Sequence, residues 1–246
     1  CQMKPVEMDA HGMNVRLLEE SGADIAYVMP SHQYPMGVVM PVKRRQELLS
    51  WAGRGEKRYL IEDDYDSEFR YHGKPLPALK SLDAPQRVIY AGTFSKALFP
   101  ALRCAWLVLP VKQIAQFRHQ ASLAPCAVPV LWQNTLADFL REGHFWRHLK
   151  KMRQHYAQRR QWIEQALTQQ GFQVVPQKGG IQMVIRMIGD DIAHARKANA
   201  AGLAVQALSD WRIRSSGEGG LLLSFTNIVN EGMARQVAQQ LRKALS

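Results

Sequence analysis

The chain has 246 residues, of which 46% are hydrophobic and 9% aromatic, enough to build a substantial core in one large domain or two smaller ones. A net charge of +11 and a pI of about 9.8 indicate a surface that attracts anions, either as a soluble protein with a basic surface or as a nucleic-acid binder. The three cysteines are widely spaced and include no CxxC pair, which excludes a disulfide framework or a zinc site of that type: Cys1, Cys104 and Cys126.

The sequence contains no signal peptide and no apolar run of about 18 residues, so we expect a cytoplasmic protein with no membrane insertion. It does not begin with methionine, and we expect it to be part of a longer protein.

The first half of the chain alternates short apolar runs with helical patterns. Strands are predicted at residues 25–30, where the strand should be buried, and at 59–61, 87–91 and 105–109; residues 41–53 predict an amphipathic helix. Such alternation is typical of βαβ units around a mostly parallel sheet, in which ligands bind beyond the carboxyl ends of the strands. Asp63 and Lys96 each follow a predicted strand, so we expect them to face one site.

The second half has a different pattern. Residues 128–170 predict a long helical stretch, broken near Gly143 and strongly basic after Phe145. This basic stretch could bind DNA or be the solvated face of a linker helix. The remaining predictions are an antiparallel strand pair at 172–175 and 181–185, a helix at 190–207, a strand at 220–225 and a closing helix at 231–245. We therefore predict two domains, residues 1–145 and 146–246, the second a small α+β domain that includes a linker helix.

The segment around Lys96 carries the clearest chemical signal. Small hydroxyl residues precede the lysine at Thr93 and Ser95, and Arg103 follows it. A lysine amine can form a Schiff base with the aldehyde of pyridoxal 5'-phosphate (PLP), hydroxyls and a guanidinium suit its phosphate, and a carboxylate such as Asp63 can pair with its pyridinium nitrogen. A lysine after a strand is ordinarily a loop residue, so the prediction of PLP depends on the whole set.

The acidic cluster around Asp63 permits a second interpretation. Its members could bind magnesium or calcium instead: Glu62, Asp63, Asp64, Asp66 and Glu68. The spacing is not that of an EF-hand loop, and no GxxxxGK[ST] loop accompanies the cluster as a Walker-B segment would require. PLP accounts for the pattern better than a metal does.

Two further side chains have alternative roles. Tyr65 could donate a hydrogen bond to the phenolic oxygen of the cofactor, or it could be a packed aromatic residue in a loop. His32 could be catalytic, or it could stabilise the loop that contains the Pro-Met-Gly turn.

Three blocks of the sequence together resemble a known family. They read PSHQYPMG at residues 30–37, IEDDYDSEFRY at 61–71 and GTFSKALFPALR at 92–103. They are similar to the MocR subgroup of GntR-type bacterial transcription regulators, which join an N-terminal winged helix-turn-helix domain to a fold-type I aminotransferase-like domain. The resemblance covers essentially the whole chain, and the middle block is highly specific to this subgroup.

The resemblance implies a fold class and a set of site residues. The fold would be α/β, of the fold-type I PLP-dependent transferase type, with a partial large domain containing the mostly parallel sheet. Lys96 would form the internal aldimine, Asp63 would pair with the pyridine nitrogen and Tyr65 would contact the phenolic oxygen. Arg103, with Thr93 and Ser95, would hold the phosphate.

The resemblance also implies partners. The family forms head-to-tail homodimers, responds to small amines, amino acids or the vitamin itself, and mostly switches transcription instead of turning over a substrate. Relative to the family pattern, the winged helix, a phosphate-binding glycine loop and a ring-stacking aromatic residue are expected upstream of Cys1. DNA would thus be bound by a domain outside this chain.

The sequence leaves two other functions open. A true aminotransferase would use Lys96 to move a proton between the substrate carbon and the cofactor. Many aminotransferases, however, place a carboxylate-binding arginine where this chain has Leu222, and the nearby Arg212 and Arg214 do not stand at that position. A basic DNA-binding module without a cofactor would require only the net charge.

Overall fold

The computed structural model describes residues 2–74, 76–124, 126–213 and 217–246; Cys1 and Arg214, named above, lie outside these ranges. The chain divides into two compact units. The first comprises Cys1–Gln33, Val38–Glu68 and Lys74–Lys150, and the second comprises Tyr34–Gly37, Phe69–Gly73 and Lys151–Ser246. Within the described ranges, no helix combines the length and the apolar character that crossing a membrane requires.

The first unit contains the sheet that the sequence predicts. Its strands are β1 (Met8–Asp9), β2 (Gly12–Met13), β3 (Ile25–Val28), β4 (Tyr59–Asp64), β5 (Val88–Thr93) and β6 (Ala105–Val108). Its helices are α1 (Val15–Glu20), α2 (Val42–Gly53), α3 (Ile114–Ser122), α4 (Val130–Arg141) and the start of α5 (His144–Gln169). The predicted helical stretch is thus broken at Gly143, whose φ of 74° ends α4 at little cost for a glycine.

Four strands form one sheet in the order β3-β4-β5-β6. β3, β4 and β5 are parallel, with Asp63 beside Ala91, whereas β6 runs antiparallel to β5 with Ala105 beside Thr93. The prediction of a mostly parallel sheet is confirmed. Because β3, β4 and β5 are parallel, their carboxyl ends lie along one edge.

One face of this sheet packs against α1 and α2. The core there contains fully buried Leu48 and Trp51 from α2 against Leu60 of β4 and Val88 of β5. Burying side chains of this size is the main source of stabilisation for the unit. Arg45 of α2 is also buried, and its guanidinium donates to the carbonyl oxygens of three residues in the adjoining chain segments: Met40, Pro77 and Pro30.

The prediction of a buried strand at residues 25–30 was correct for one face only. In β3, Ala26 and Val28 are buried while Ile25 and Tyr27 are about half exposed. The apolar run also contains a tyrosine, whose hydroxyl can serve a polar partner. The strand therefore has a core side and an accessible side.

The second unit is built on a three-stranded antiparallel sheet in the order β7-β9-β8. Its elements are β7 (Gln182–Met187), α6 (Asp191–Ala200), β8 (Val205–Ala207), β9 (Gly219–Ser224) and α7 (Glu231–Leu245), together with the remainder of α5. The core lies between this sheet and the helices, with Ile163, Ile185, Leu221 and Leu241 almost completely buried.

Two predicted elements of this unit were wrong in part. The predicted helix 190–207 ends at Ala200, because Gly202 adopts a φ of 87° and the next residues pair with β9 as β8. The predicted strand at 172–175 is reduced to one bridge between Val174 and Ile185, which lies on the edge of β7 opposite β9. The closing helix has the predicted bounds, with the Asn230 side chain accepting from the Met233 amide at its start.

Candidate functional site

The predicted site residues of the first unit come from the ends of neighbouring strands. β4 ends at Asp64, immediately before Tyr65, and β5 ends at Thr93, three positions before Lys96 in the sequence. Asp63 lies inside β4 instead of following it as predicted, because the strand continues until Asp63 and Asp64 pair with Ala91 and Gly92. Parallel pairing therefore delivers Asp63, Tyr65 and the Lys96 segment to the same edge of the sheet.

Asp63 has a hydrogen-bond partner that the sequence pattern does not predict. The hydroxyl of Tyr27, on the neighbouring strand β3, donates to Oδ2 of Asp63. Partial burial, followed by this contact with a carboxylate, raises the pKa of the Tyr27 phenol well above its usual value, so the phenol remains a donor. The contact fixes one oxygen of Asp63. No local signal could have predicted it, because it depends on the pairing of β3 with β4.

The neighbouring acids are engaged separately. Glu62 is buried, and its two carboxylate oxygens accept the amides of Leu79 and Lys80, both at 2.8 Å. Asp64 accepts the hydroxyls of Tyr90 and Ser67. Burial raises the pKa of Glu62, an effect that the two amides oppose. Across the described ranges of the chain, no three acidic, histidine or cysteine side chains are grouped so that they could hold a metal ion.

Lys96 lies on a turn with a tightly bonded backbone. The Phe94 amide donates to the Cys104 carbonyl at 3.1 Å, and the Leu98 amide donates to the Phe94 carbonyl at 2.8 Å. Ala97 is buried, and its carbonyl lies 2.8 Å from Nε2 of His148. The backbone on either side of Lys96 is thus held in place while its side chain is exposed.

The hydroxyls before Lys96 form a small network. The Thr93 hydroxyl accepts the Ser95 amide at 3.1 Å, and it donates to Oγ of Ser95 at 2.9 Å with the Cys104 carbonyl as a longer second acceptor at 3.3 Å. Since Oγ of Ser95 already accepts a bond, its own proton can be donated to a ligand. These two side chains are ordered relative to each other and present a donor beside Lys96.

Arg103 is exposed and has a left-handed backbone, with φ of 50° and ψ of 32°. It ends a short 3-10 turn at Pro100–Leu102 and is separated by one residue from β6, the strand that pairs with β5. This conformation is uncommon for a residue other than glycine and is often found at ligand sites. The turn places a forked cation in the connection between Lys96 and β6.

A buried cluster adjoins Tyr65. Nδ1 of His32 lies 2.9 Å from Oδ2 of Asp66 and 3.0 Å from the Tyr65 hydroxyl oxygen, and the Tyr65 hydroxyl donates to the His32 carbonyl at 3.0 Å. Burial raises the pKa of the Asp66 carboxyl, an effect opposed by the His32 contact and, less strongly, by the charge of Lys96. In the sequence, Asp66 is only one of the clustered acids, and no local pattern predicts its contact with His32.

The side chains at this edge match the chemistry of PLP. They include a partly exposed carboxylate fixed on one oxygen (Asp63), an exposed primary amine (Lys96), an ordered pair of hydroxyls and an exposed guanidinium (Arg103). The carboxylate suits a pyridinium nitrogen, the amine suits an aldehyde, and the hydroxyls and the guanidinium together suit a phosphate dianion. The donor set therefore fits the cofactor that the sequence predicts.

The second unit contains the position where many aminotransferases have a carboxylate-binding arginine, and it contains most of the basic stretch. Leu222 is almost fully buried against Val184 and Leu208, and Arg212 donates to the Glu218 carbonyl. In α5, Arg159 donates to the Thr226 carbonyl, and Arg160 is buried with its guanidinium over the Tyr71 ring. The basic stretch is therefore partly structural and is not one uniform cationic face.

Comparisons with known proteins agree with this chemistry. The family described as aminotransferase class I and II matches residues 3–217. Among solved structures, the chain is similar to kynurenine aminotransferase of Pyrococcus horikoshii, crystallised with PMP and kynurenine. The TM-score is 0.85 at 27% identity, over 98% of this chain and 62% of that one.

The curated relatives include transcription regulators and also an enzyme, aromatic-amino-acid aminotransferase 1 of Thermococcus litoralis, which is 32% identical over 66% of this chain and 41% of its own length. The HTH-type transcriptional regulator YdeL of Bacillus subtilis is 39% identical over 66% of this chain and 35% of its own length. The probable rhizopine catabolism regulatory protein MocR of Rhizobium meliloti is 33% identical over 99% of this chain and 50% of its own length. The chain thus spans half or less of the length of these three relatives.

These matches confirm the predicted resemblance to MocR-type regulators and the predicted fold class, and they indicate PLP as the cofactor of the fold. The family match covers residues 3–217, and the structure is similar to that of an aminotransferase. The side chains at the candidate site also suit PLP. The chain belongs to the aminotransferase class I and II family.

Proposed function

We propose that this chain is the PLP-binding, effector-sensing part of a bacterial transcription regulator. The observation that carries the proposal is the convergence of Asp63, Tyr65 and the Lys96 segment on one edge of the parallel sheet. The identity to regulators that carry an HTH domain supports the regulatory role over the role of an independent enzyme. Residues 1–145 would be part of the large domain and residues 146–246 the small domain.

Each site residue has a proposed task. When bound, PLP supplies an aldehyde that condenses with primary amines and a ring that withdraws electrons. Lys96 would hold it covalently, and Asp63 would keep its ring nitrogen protonated. Tyr65 would donate to its phenolic oxygen, while Thr93, Ser95 and Arg103 would bind its phosphate.

The proposed signal is an amine or amino-acid effector that takes the place of the Lys96 amine. Such a ligand changes the conformational equilibrium only if it binds two states with different affinities. We propose that a homodimer in the cytoplasm transmits this difference to DNA through a winged-helix domain outside this sequence. Effector-dependent binding to promoter DNA, and sedimentation that reports the dimer, would test these partners in the full-length regulator.

Cofactor binding is tested by titrating the protein with PLP and recording its long-wavelength absorbance. Borohydride should bleach the band and leave a covalent adduct detectable by mass spectrometry, and Lys96→Ala should lose both. Lys112→Ala, which removes an exposed lysine outside the site, is the matched control and should behave as wild type. Absence of the band in wild type, or an unchanged adduct in Lys96→Ala, would contradict the proposal.

A true aminotransferase is the alternative, favoured by the likeness to solved aminotransferases. The buried Leu222 argues against it, because that side chain packs in an apolar cluster and offers no cation for a substrate carboxylate. Incubation with an amino donor and a keto acid separates the two functions. Conversion of no more than one equivalent per site supports the regulator, whereas sustained product formation supports the enzyme.

A further inference from the structure

We propose that His32 is a positioning residue that holds the Tyr65 hydroxyl ready for the phenolic oxygen of the cofactor, with Asp66 holding the His32 proton on Nδ1. This inference rests on the proposed PLP-binding function. It assigns a role to two side chains, His32 and Asp66, that the proposed contacts with the cofactor do not themselves use.

The geometry gives Tyr65 two contacts with one residue. Its hydroxyl donates to the His32 carbonyl at 3.0 Å, and its oxygen lies 3.0 Å from Nδ1 of the same histidine. Nδ1 is also 2.9 Å from Oδ2 of Asp66. The tyrosine oxygen is therefore bracketed by the backbone and the side chain of His32, and the imidazole is itself anchored by Asp66.

The proposed role requires an ionised Asp66 and a proton on Nδ1 of His32, an arrangement that the 2.9 Å and 3.0 Å contacts of Nδ1 allow. An ionised Asp66 can only accept, so Nδ1 of His32 carries the proton and can share it between Asp66 and the Tyr65 oxygen. The Tyr65 hydroxyl proton is then available either to the His32 carbonyl or, after rotation about the C–O bond, to a ligand oxygen. A donor directed at the phenol oxygen polarises its O–H bond and makes it a stronger donor to that ligand.

Burial distinguishes this role from simple loop stabilisation. His32 is 7% exposed and Asp66 2% exposed, so the pair is held away from water at a cost in desolvation. Nε2 of His32 and Oδ1 of Asp66 have no hydrogen-bond partner among the residues that the structure describes. The Tyr65 bond to the His32 carbonyl could hold the loop with any residue at position 32. Buried polar atoms without hydrogen-bond partners are costly, so the burial of this pair needs an explanation beyond loop stability. The orientation of the Tyr65 hydroxyl is such an explanation.

The test uses substitutions that separate the two ring nitrogens. In His32→Asn the amide nitrogen can occupy the position of Nδ1 and still donate to Asp66 and Tyr65, whereas in His32→Gln it reaches toward Nε2. We expect His32→Asn to bind PLP within about twofold of wild type, and His32→Gln and His32→Ala to bind about five- to tenfold more weakly, the equivalent of one hydrogen bond. The absorbance band of the bound cofactor should shift in His32→Gln as it does in Tyr65→Phe, because both lose the oriented donor.

A double-mutant cycle makes the mechanism specific. If His32 acts through Tyr65, adding His32→Gln to Tyr65→Phe should cause no further loss of PLP affinity. Additive losses, or equal binding by the Asn and Gln variants, would overturn the positioning role while leaving the proposed function intact. Failure of wild type itself to bind PLP would overturn the proposed function and this inference with it. Circular dichroism and thermal melting of the Asn and Gln variants, expected to coincide, exclude a difference in folding.

Discussion

Two tyrosines on the first sheet donate to adjacent acids, and only one of these acids is proposed to meet the cofactor. Tyr27 donates to Asp63, and Tyr90 donates to Asp64. In both, burial followed by the carboxylate contact raises the pKa of the phenol well above its usual value, so both remain donors through the neutral range. The chain therefore contains a matched pair of contacts of the same chemistry.

We predict that Tyr27→Phe weakens PLP binding about fivefold, because Asp63 loses the hydrogen bond that orients its carboxylate. Tyr90→Phe should change the affinity by less than about twofold, since Asp64 has no proposed contact with the ring and retains Ser67 as a donor. Absorbance titration with PLP measures both. Equal losses in the two variants would show that the acids act only through general structure.

Asp191 joins three elements of the second unit. It is buried at the start of α6, and its Oδ2 accepts the Gly220 amide of β9 at 2.9 Å and the Ser209 amide at 3.2 Å. Burial acts to raise the pKa of Asp191, but the Ser209 and Gly220 bonds outweigh it and hold this pKa below its ordinary value. A Cβ at Gly220 would lie 2.6 Å from Leu208 Cδ1 and 2.9 Å from the Ile185 carbonyl oxygen, so this position of β9 requires glycine.

The Asp191 contacts predict a pH dependence with a definite sign. A lowered native pKa means that the unfolded chain takes up the proton first as the pH falls, so the stability due to Asp191 is complete above about pH 4 and lost below it. Asp191→Asn should lower the free energy of unfolding by about 1–2 kcal/mol at pH 7, and the difference from wild type should shrink as the pH falls below about 4. Urea unfolding across this range measures the effect.

The neighbouring Asp190→Asn serves as the control. Asp190 is the N-cap of α6, accepting the Ile192 and Ala193 amides at 3.0 Å, and asparagine caps helices as well as aspartate does. We expect Asp190→Asn to change the free energy of unfolding little, both at pH 7 and below about pH 4. A pH dependence in Asp190→Asn equal to that in Asp191→Asn would point to the charge of the helix terminus instead of the Asp191 contacts.

Two strands of the second unit differ from the sequence prediction because of their partners in the folded sheet. The helical pattern of residues 190–207 continues past Ala200, yet Val205–Ala207 form β8 because Leu221–Leu223 of β9 provide an edge on which to pair. The strand predicted at 181–185 is present as β7, but Met183, Val184 and Ile185 are all buried, so it lacks the alternation of a strand with one exposed face. Tertiary packing overrides local propensity at such positions.

At the scale of the whole molecule, each unit has a hydrophobic core of its own. Leu60 is completely buried among the side chains of the first core, and Ile185 is completely buried in the core of the second. Regions that share a core tend to open together in hydrogen exchange. The units are thus candidates for separate cooperative regions.

We predict that Leu60→Ala and Ile185→Ala each destabilise by about 2–5 kcal/mol, through lost burial and the cavity left behind. Hydrogen exchange followed by mass spectrometry should show faster exchange mainly in the unit that carries the substitution. A uniform increase through both units for either variant would show that they open as one cooperative structure, against the proposed domain division.

The sequence by itself determined the features whose signals are local. In the Lys96 segment, residues close together in sequence are enough to predict PLP binding. The closing helix Glu231–Leu245 is predicted by its N-cap and its apolar stripe, neither of which depends on a distant residue. Short apolar runs predict the strands of the first sheet, and the βαβ pattern is sufficient to predict that this sheet is mostly parallel.

Only the tertiary structure decided which distant side chains meet at the site. Tyr27 reaches Asp63, and His32 reaches Asp66, across more than thirty positions of sequence. These contacts depend on the register of β3 against β4 and on the burial of the loop after β3. Register is set by packing summed over the whole sheet and core, so no single segment encodes it.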